Sequence, residues 1–178
     1  MNEKQLVIFI DSGDTLIDET SEVYVEGELV KEAEFIPGAV ETIKTLKTRG
    51  YKIIMVADGL RQSFINVHKH QHDMYDYYDG HIYSEDIGVY KPDAKMFKAA
   101  LEAADLTEDD VHRVVMVGNN IERDIKGAND MNMTSIHIDW SKRYRQEPKD
   151  DSEIPDYFIE NPIELIDLVE KLNSQLEA

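Results

Sequence analysis

The chain predicts a three-layer α/β/α sandwich around a mostly parallel central sheet, and three observations carry the prediction. Short runs rich in Val, Ile and Met, at 6–10, 51–57, 114–117 and 135–139, read as strands, the strongest of them buried on both faces. Segments of roughly 10 to 15 residues with one apolar helical face lie between them. Strand and helix alternate along the chain, which calls for right-handed crossovers and parallel pairing. A single domain, 1–178, fits the length of 178 residues, ample for one buried core.

The first strand, LVIFI over 6–10, stops abruptly at Asp11-Ser12-Gly13-Asp14. A carboxylate at the C-terminal end of a buried strand stands where open α/β sheets bind their ligands. Val23-Tyr24-Val25 and Leu29-Val30 flank Glu26-Gly27-Glu28, so 21–34 reads as a hairpin flap. Ile36-Pro37-Gly38 opens a helix over 39–49, with Ala39, Val40, Ile43 and Leu46 on one face and Gly50 closing it. The second strand, 51–57, leads through Asp58-Gly59 into a helix over 60–71. His68 and His72 lie four apart on that helix, without the intervening Glu of a metalloprotease motif, and read as surface positions.

Met74 to Tyr78 reads as core and rim packing, and 76–84 as a short strand. Lys91-Pro92 precedes a helix over 93–104, and 107–110 is a turn. A strand over 114–117, a helix over 121–131 and a strand over 135–139 follow. A polar loop over 141–154, a last strand over 157–159 and an amphipathic helix over 162–176 complete the chain.

The net charge of −18, from 37 acidic and 19 basic side chains, argues against nucleic acid as a substrate. Phosphate backbones are held by clustered Lys and Arg that release counterions. With no cysteine there is neither a disulfide framework nor a thiolate metal site. The start, MNEKQ, is polar, and no apolar run approaches about 18 residues, so the expectation is a cytoplasmic protein without a membrane partner.

A hydrophobic strand ending in Asp-x-x-x-Thr-Leu, here Asp11-Ser12-Gly13-Asp14-Thr15-Leu16, resembles the first motif of the haloacid dehalogenase (HAD) superfamily. The second motif of that family is a strand ending in Ser or Thr; here it ends Val56-Ala57-Asp58-Gly59. The third, a Lys before a Pro and a helix, is matched by Lys91 in GVYKPDAKMF. The fourth, a strand followed by Gly-Asp and a second Asp, is matched by VVMVGNNIERDIKGA, with Asn119 at the first Asp and Asp124 at the second.

The resemblance covers essentially the whole chain and implies a Rossmann-like HAD fold and phosphoryl transfer through an aspartyl-phosphate. It implies Asp11 as nucleophile, Lys91 as charge screen, and Mg2+ held by Asp11, the Gly13 carbonyl, Asn119 and Asp124. It further implies phosphate contacts from the backbone after Ala57, through Asp58 and Gly59 at a helix N-terminus. Only about 40 residues separate Asp11 from Ala57, so no cap domain fits, and the flap takes its place, with self-association through it as the means of closure. The expected substrate is a phosphorylated small molecule or a larger phospho-substrate.

Three positions depart from the family pattern. The third and fourth residues of the first motif are exchanged, so Gly13 has no side chain where the general acid belongs, a group worth about 10² to 10⁴ in rate. Asp14, one residue on, is the candidate to replace it. Without an acid, esters of good leaving groups such as aryl and acyl phosphates should be preferred to alkyl phosphates. Ala57 lacks the hydroxyl that would bond phosphate, and Asn119 gives up a negative charge beside the cation. Together these changes leave a second reading: a catalytically degenerate HAD fold that binds a phospho-ligand or a protein. The run Trp140-Ser141-Lys142-Arg143-Tyr144-Arg145, the most basic in the chain, puts Arg143 forward as an anion contact, or else reads as a solvated loop.

Overall fold

The computed structural model describes residues 5–177. Its centre is a six-stranded sheet in the order β5-β4-β1-β6-β7-β8, all of whose pairings are parallel. The strands are β1 (Val7–Ile10), β4 (Lys52–Ala57), β5 (Gly80–Tyr83), β6 (Val114–Gly118), β7 (Thr134–Ile138) and β8 (Tyr157–Ile159). β2 (Ile17–Glu26) and β3 (Leu29–Phe35) form a separate antiparallel hairpin.

Strand alternation explains the three layers. Ile8 and Ile10 of β1, Ile53 and Met55 of β4, and Val115 and Val117 of β6 point to one face of the sheet. There they pack on α1 (Ala39–Thr48) and α6 (Glu164–Glu177) through Ile43, Leu46, Leu165 and Val169. The intervening residues, Val7, Phe9, Ile54, Val56, Val114 and Met116, point to the other face and meet Met96, Phe97 and Ala100 of α4 (Ala94–Ala103). Continuous apolar strands are therefore the signature of a sheet covered on both sides. After β1 the chain builds β4 and β5 on one flank and then returns to place β6 on the other, so β1 lies at the switch of direction. Its C-terminal end is where such folds bind ligands.

The flap is longer than the 21–34 hairpin expected, beginning at Ile17 and ending at Phe35. It is moored to the second helical region, in which α2 (Arg61–Phe64) runs directly into a π-helical stretch, Ile65–Gln71. Ser63 Oγ accepts the Val30 N–H, Asn66 Nδ2 donates to the Val30 carbonyl, and Gln71 Oε1 accepts the Ala33 N–H. These side chains satisfy the open edge of β3.

The wide turns of the π-helical stretch also overturn the surface assignment of His68. Its ring is 1% exposed, bonded through Nε2 to Ser12 Oγ and through Nδ1 to the Tyr78 hydroxyl, with Phe35 edge-on. Two other expectations are adjusted. The 76–84 strand shrinks to β5 between a short 3₁₀ turn at Tyr75–Tyr77 and a single helical turn, α3 (Ser84–Ile87), and the 121–131 helix begins as a π-helix, Ile121–Ile125, before α5 (Lys126–Asp130).

Candidate active site

Asp11 leaves β1 still tied to the sheet, its N–H donating to the Val117 carbonyl at 3.0 Å. The chain then folds over itself, with the amides of Thr15, Leu16 and Ile17 all donating to the Ser12 carbonyl. Asp14 adopts a left-handed conformation at φ 51°, which Asp tolerates better than most residues. The tight turn leaves the Asp11 side chain at the end of the sheet, 14% exposed.

Lys91, from the loop before α4, reaches the same point and is fully buried. Its Nζ donates to Asp11 Oδ1 at 2.9 Å and to the Val56 carbonyl at 2.7 Å, and lies 2.7 Å from Asp124 Oδ1. Burial by itself works against the ammonium, but the carboxylates of Asp11, Asp124 and Asp58 outweigh it and hold Lys91 above the ordinary lysine range. The Asp124 carboxyl is pushed up, first by burial and then by the charge of Asp11, against the opposing pull of Lys91. Its Oδ2 accepts the Asn120 N–H at 3.1 Å, fixing it at the mouth of the π-helix. Gly118 makes room for it, since a Cβ there would overlap the Asp124 carboxylate.

Four segments thus converge, and a cleft of about 50 Å³ joins Asp11, Gly13, Ala57, Asp58, Lys91, Asn119 and Asp124. Of the residues expected to hold a metal, Asp11, Gly13, Asn119 and Asp124 all line this cleft. Asn119 is buried with its Nδ2 unpartnered. Among the described residues, no group of three or more His, Cys, Asp or Glu side chains gathers for a metal, so a cation in this cleft would draw on a mixed set: two carboxylates, an amide and a backbone carbonyl. All are oxygens, the set a hard divalent cation takes.

Other expected contacts are engaged elsewhere. The Gly59 N–H donates to Ser84 Oγ at 2.8 Å, so it is not turned to a phosphate as the helix-terminus reading supposed. Asp58 is a brace: Oδ1 accepts the Lys91 N–H and Oδ2 pairs with Arg123 Nη1 at 3.2 Å. Asp14 does not reach the cleft. It is 0% exposed beneath the turn, with Oδ1 taken by the Glu19 N–H and Oδ2 by Arg143 Nε, each at 3.0 Å, which corrects its assignment as the replacement acid. Arg143, expected to meet an anion, is held by Asp14 and by Glu19 Oε2, also at 3.0 Å. Lys142 and Arg145 of the same basic run pair with Asp139 and with Glu122 and Glu153.

Glu19, on β2, was missed in the sequence because nothing about a strand residue eight positions past Asp11 points back toward it. Its Oε1 overlaps the position a Gly13 Cβ would occupy. Burial, then the charges of Asp14 and Asp11, push its carboxyl up to about 7, with Arg143 opposing. Tyr144 and Arg123 also line the cleft unforeseen. Beyond them a cavity of about 640 Å³ opens between flap and helix, lined by Glu19, Glu22, Glu28 and Glu85 and by the rings of Tyr24, Phe64, Tyr90 and Tyr144, with no Lys or Arg.

Residues 3–132 match the model of a family described as haloacid dehalogenase-like hydrolase. A glyceraldehyde 3-phosphate phosphatase from Methanopyrus kandleri is 32% identical over 76% of this chain and 57% of its own length. A pyrimidine 5'-nucleotidase from Escherichia coli is 31% identical over 64% of this chain and 48% of its own. The chain therefore spans about half the length of these curated relatives. Among solved structures, a HAD phosphatase from Thermococcus onnurineus superposes with a TM-score of 0.74 at 17% identity, covering 92% of this chain and 97% of the other, a likeness of fold. With Asp11, the buried Lys91 and Asp124 gathered at one sheet end and the family model matched across most of its length, the chain belongs to the haloacid dehalogenase-like hydrolases.

Proposed function

We propose that this chain is a Mg2+-dependent phosphohydrolase of small phosphorylated molecules, with Asp11 as nucleophile. The observation that carries the reading is the Lys91 ammonium clasped between Asp11 and Asp124, at the edge of a cavity able to hold the rest of an ester. A carboxylate approaching a phosphate dianion needs positive charge fixed beside it. Lys91 supplies it without reorganising, because burial and three acceptors hold it still. Asp11, the Gly13 carbonyl, Asn119 and Asp124 would hold Mg2+, which when bound withdraws charge from the phosphoryl oxygens. Asp11 Oδ2, with the Thr15 hydroxyl 3.4 Å away, is the oxygen free to attack. The Asp11–phosphorus bond forms as the ester bond breaks, and water then cleaves the aspartyl-phosphate to release inorganic phosphate and restore the carboxylate.

The acidic, aromatic cavity supports a leaving group without further negative charge. The relatives named glyceraldehyde 3-phosphate phosphatase suit that reading, since a triose carries none beyond its phosphate. Self-association through the flap belongs to the same proposal, supported by Val23, Tyr24 and Val25, all about half exposed at its tip. Sedimentation of the parent against a Val23→Glu variant tests it.

Hydrolysis of p-nitrophenyl phosphate with and without Mg2+ tests the enzymatic reading. Metal-dependent turnover lost in Asp11→Asn is expected. A folded parent without turnover at millimolar Mg2+ would refute it and favour the phospho-ligand binding module.

A further inference from the structure

Gly13 has no side chain where the resemblance to the family's first motif calls for an acid, and the space beside it is filled. The Glu19 side chain enters from the flap, so that a Cβ built on Gly13 would collide with Oε1 and stand 3.0 Å from Cγ. Glu19 lines both the small cleft of Asp11 and Lys91 and the large cavity beyond it, so it stands at the boundary between the phosphoryl position and the rest of the ester. The oxygen leaving phosphorus must cross that boundary.

The exchanged residue at 14 has a part in this. Asp14 holds Glu19 at both ends, accepting its backbone N–H with Oδ1 and, through Oδ2, anchoring the Arg143 guanidinium whose Nε also contacts Glu19 Oε2. Oε2 is thereby fixed, and Oε1 is the oxygen directed over Gly13. Asp14, one residue beyond Gly13, thus positions another carboxylate instead of facing the cleft.

We propose that Glu19 is a catalytic residue, the leaving-group acid supplied in trans to the motif by the flap, with Asp14 and Arg143 as its positioning residues. As the Asp11–phosphorus bond forms and the bond to the departing alcohol breaks, the Glu19 carboxyl passes its proton to the alcohol oxygen. It recovers a proton from the water that cleaves the aspartyl-phosphate. The inference rests on the phosphohydrolase reading above, and it reverses the expectation, drawn from Gly13, that alkyl phosphates are poor substrates.

Two esters and four proteins, the parent and three variants, test it. p-Nitrophenyl phosphate leaves as a stable anion and needs little help, whereas glycerol 3-phosphate must have its alkoxide protonated. In Glu19→Gln the ratio of alkyl to aryl turnover should fall by about 10²-fold or more, the usual worth of general acid catalysis. In the double variant Gly13→Asp with Glu19→Ala, which restores the carboxylate at 13 and clears its space, the ratio should recover at least tenfold over Glu19→Gln. Gly13→Asp alone, meeting Glu19, should not reach that value. A ratio unchanged in Glu19→Gln, no recovery in the double variant, or a parent that turns over only the aryl ester would overturn the proposal. A parent active on neither ester would instead remove the phosphohydrolase reading, and this inference with it.

Discussion

Replacing Lys91 by Met, close to it in length and free of charge, removes the element on which the site's electrostatics turn. Lys91 and Asp124 are each 1% exposed at the side chain, so neither can fall back on water. At separations near 2.8 Å each ion pair is worth roughly 6 kcal/mol at an effective dielectric of 20, before desolvation is counted. Returning the ammonium to solvent offsets several kcal/mol of that, and breaking a buried pair by deleting one partner costs about 3–5 kcal/mol net. Lys91→Met should therefore lose about 3–5 kcal/mol in urea unfolding at pH 7.5 in the absence of metal. Acidification supplies a second, signed test. Burial and Asp11 already hold the Asp124 carboxyl up, and without Lys91 it rises further. A carboxyl raised in the folded state gains stability as pH falls, so the gap between parent and variant should narrow by about 1 kcal/mol at pH 5.5. A variant within 1 kcal/mol of the parent, or a gap that widens on acidification, would refute the clasp as a source of stability.

Two further outcomes follow from buried groups near the site. His68 is lowered to about 3, by burial first and then by His81 and His72, so it stays neutral when folded and protonates below its ordinary 6.5 when unfolded. Its contribution is intact above pH 6.5 and lost as pH falls toward 3, so from pH 7.5 to 5.0 the parent should lose roughly 2 kcal/mol more than His68→Gln; parallel urea profiles would contradict this. Asn119→Asp adds a carboxylate to a cleft already holding Asp11 and Asp124. A unit charge near the cation is worth up to about 4 kcal/mol, so the Mg2+ concentration for half-maximal stabilisation against heat should fall at least tenfold while the metal-free variant melts lower; an unchanged Mg2+ requirement would place Asn119 outside the donor set.

The sheet could be read in the sequence because each of its central strands is apolar on both faces, and only a doubly covered strand tolerates that. Asp11 was legible as a carboxylate at a strand end, whereas Ala57, Lys91, Asn119 and Asp124 were picked out only by their resemblance to the family motifs. They line one cleft because parallel strands put their C-terminal ends on one edge. The second helix was legible as a helix but not as a π-helix, since INVHKHQ carries no breaker at Ile65–Gln71. The burial of His68 depends on that widened turn and on a partner 56 residues away, Ser12.

The first motif was harder because its meaning lies in volume, not in order. Read along the chain, Gly13 subtracts a carboxylate and Asp14 offers the nearest one back. In space the nearest one belongs to Glu19, because β2 returns antiparallel to its own hairpin partner directly above the turn and sends its side chain down into the gap. An insertion of charge at Gly13 would collide with Glu19, while shortening Glu19 would leave Arg143 and Asp14 paired around an empty volume. The two positions are therefore coupled by exclusion. A side chain added at 13 needs a shorter one at 19, which is why neither residue, taken singly from the sequence, discloses the role of the pair.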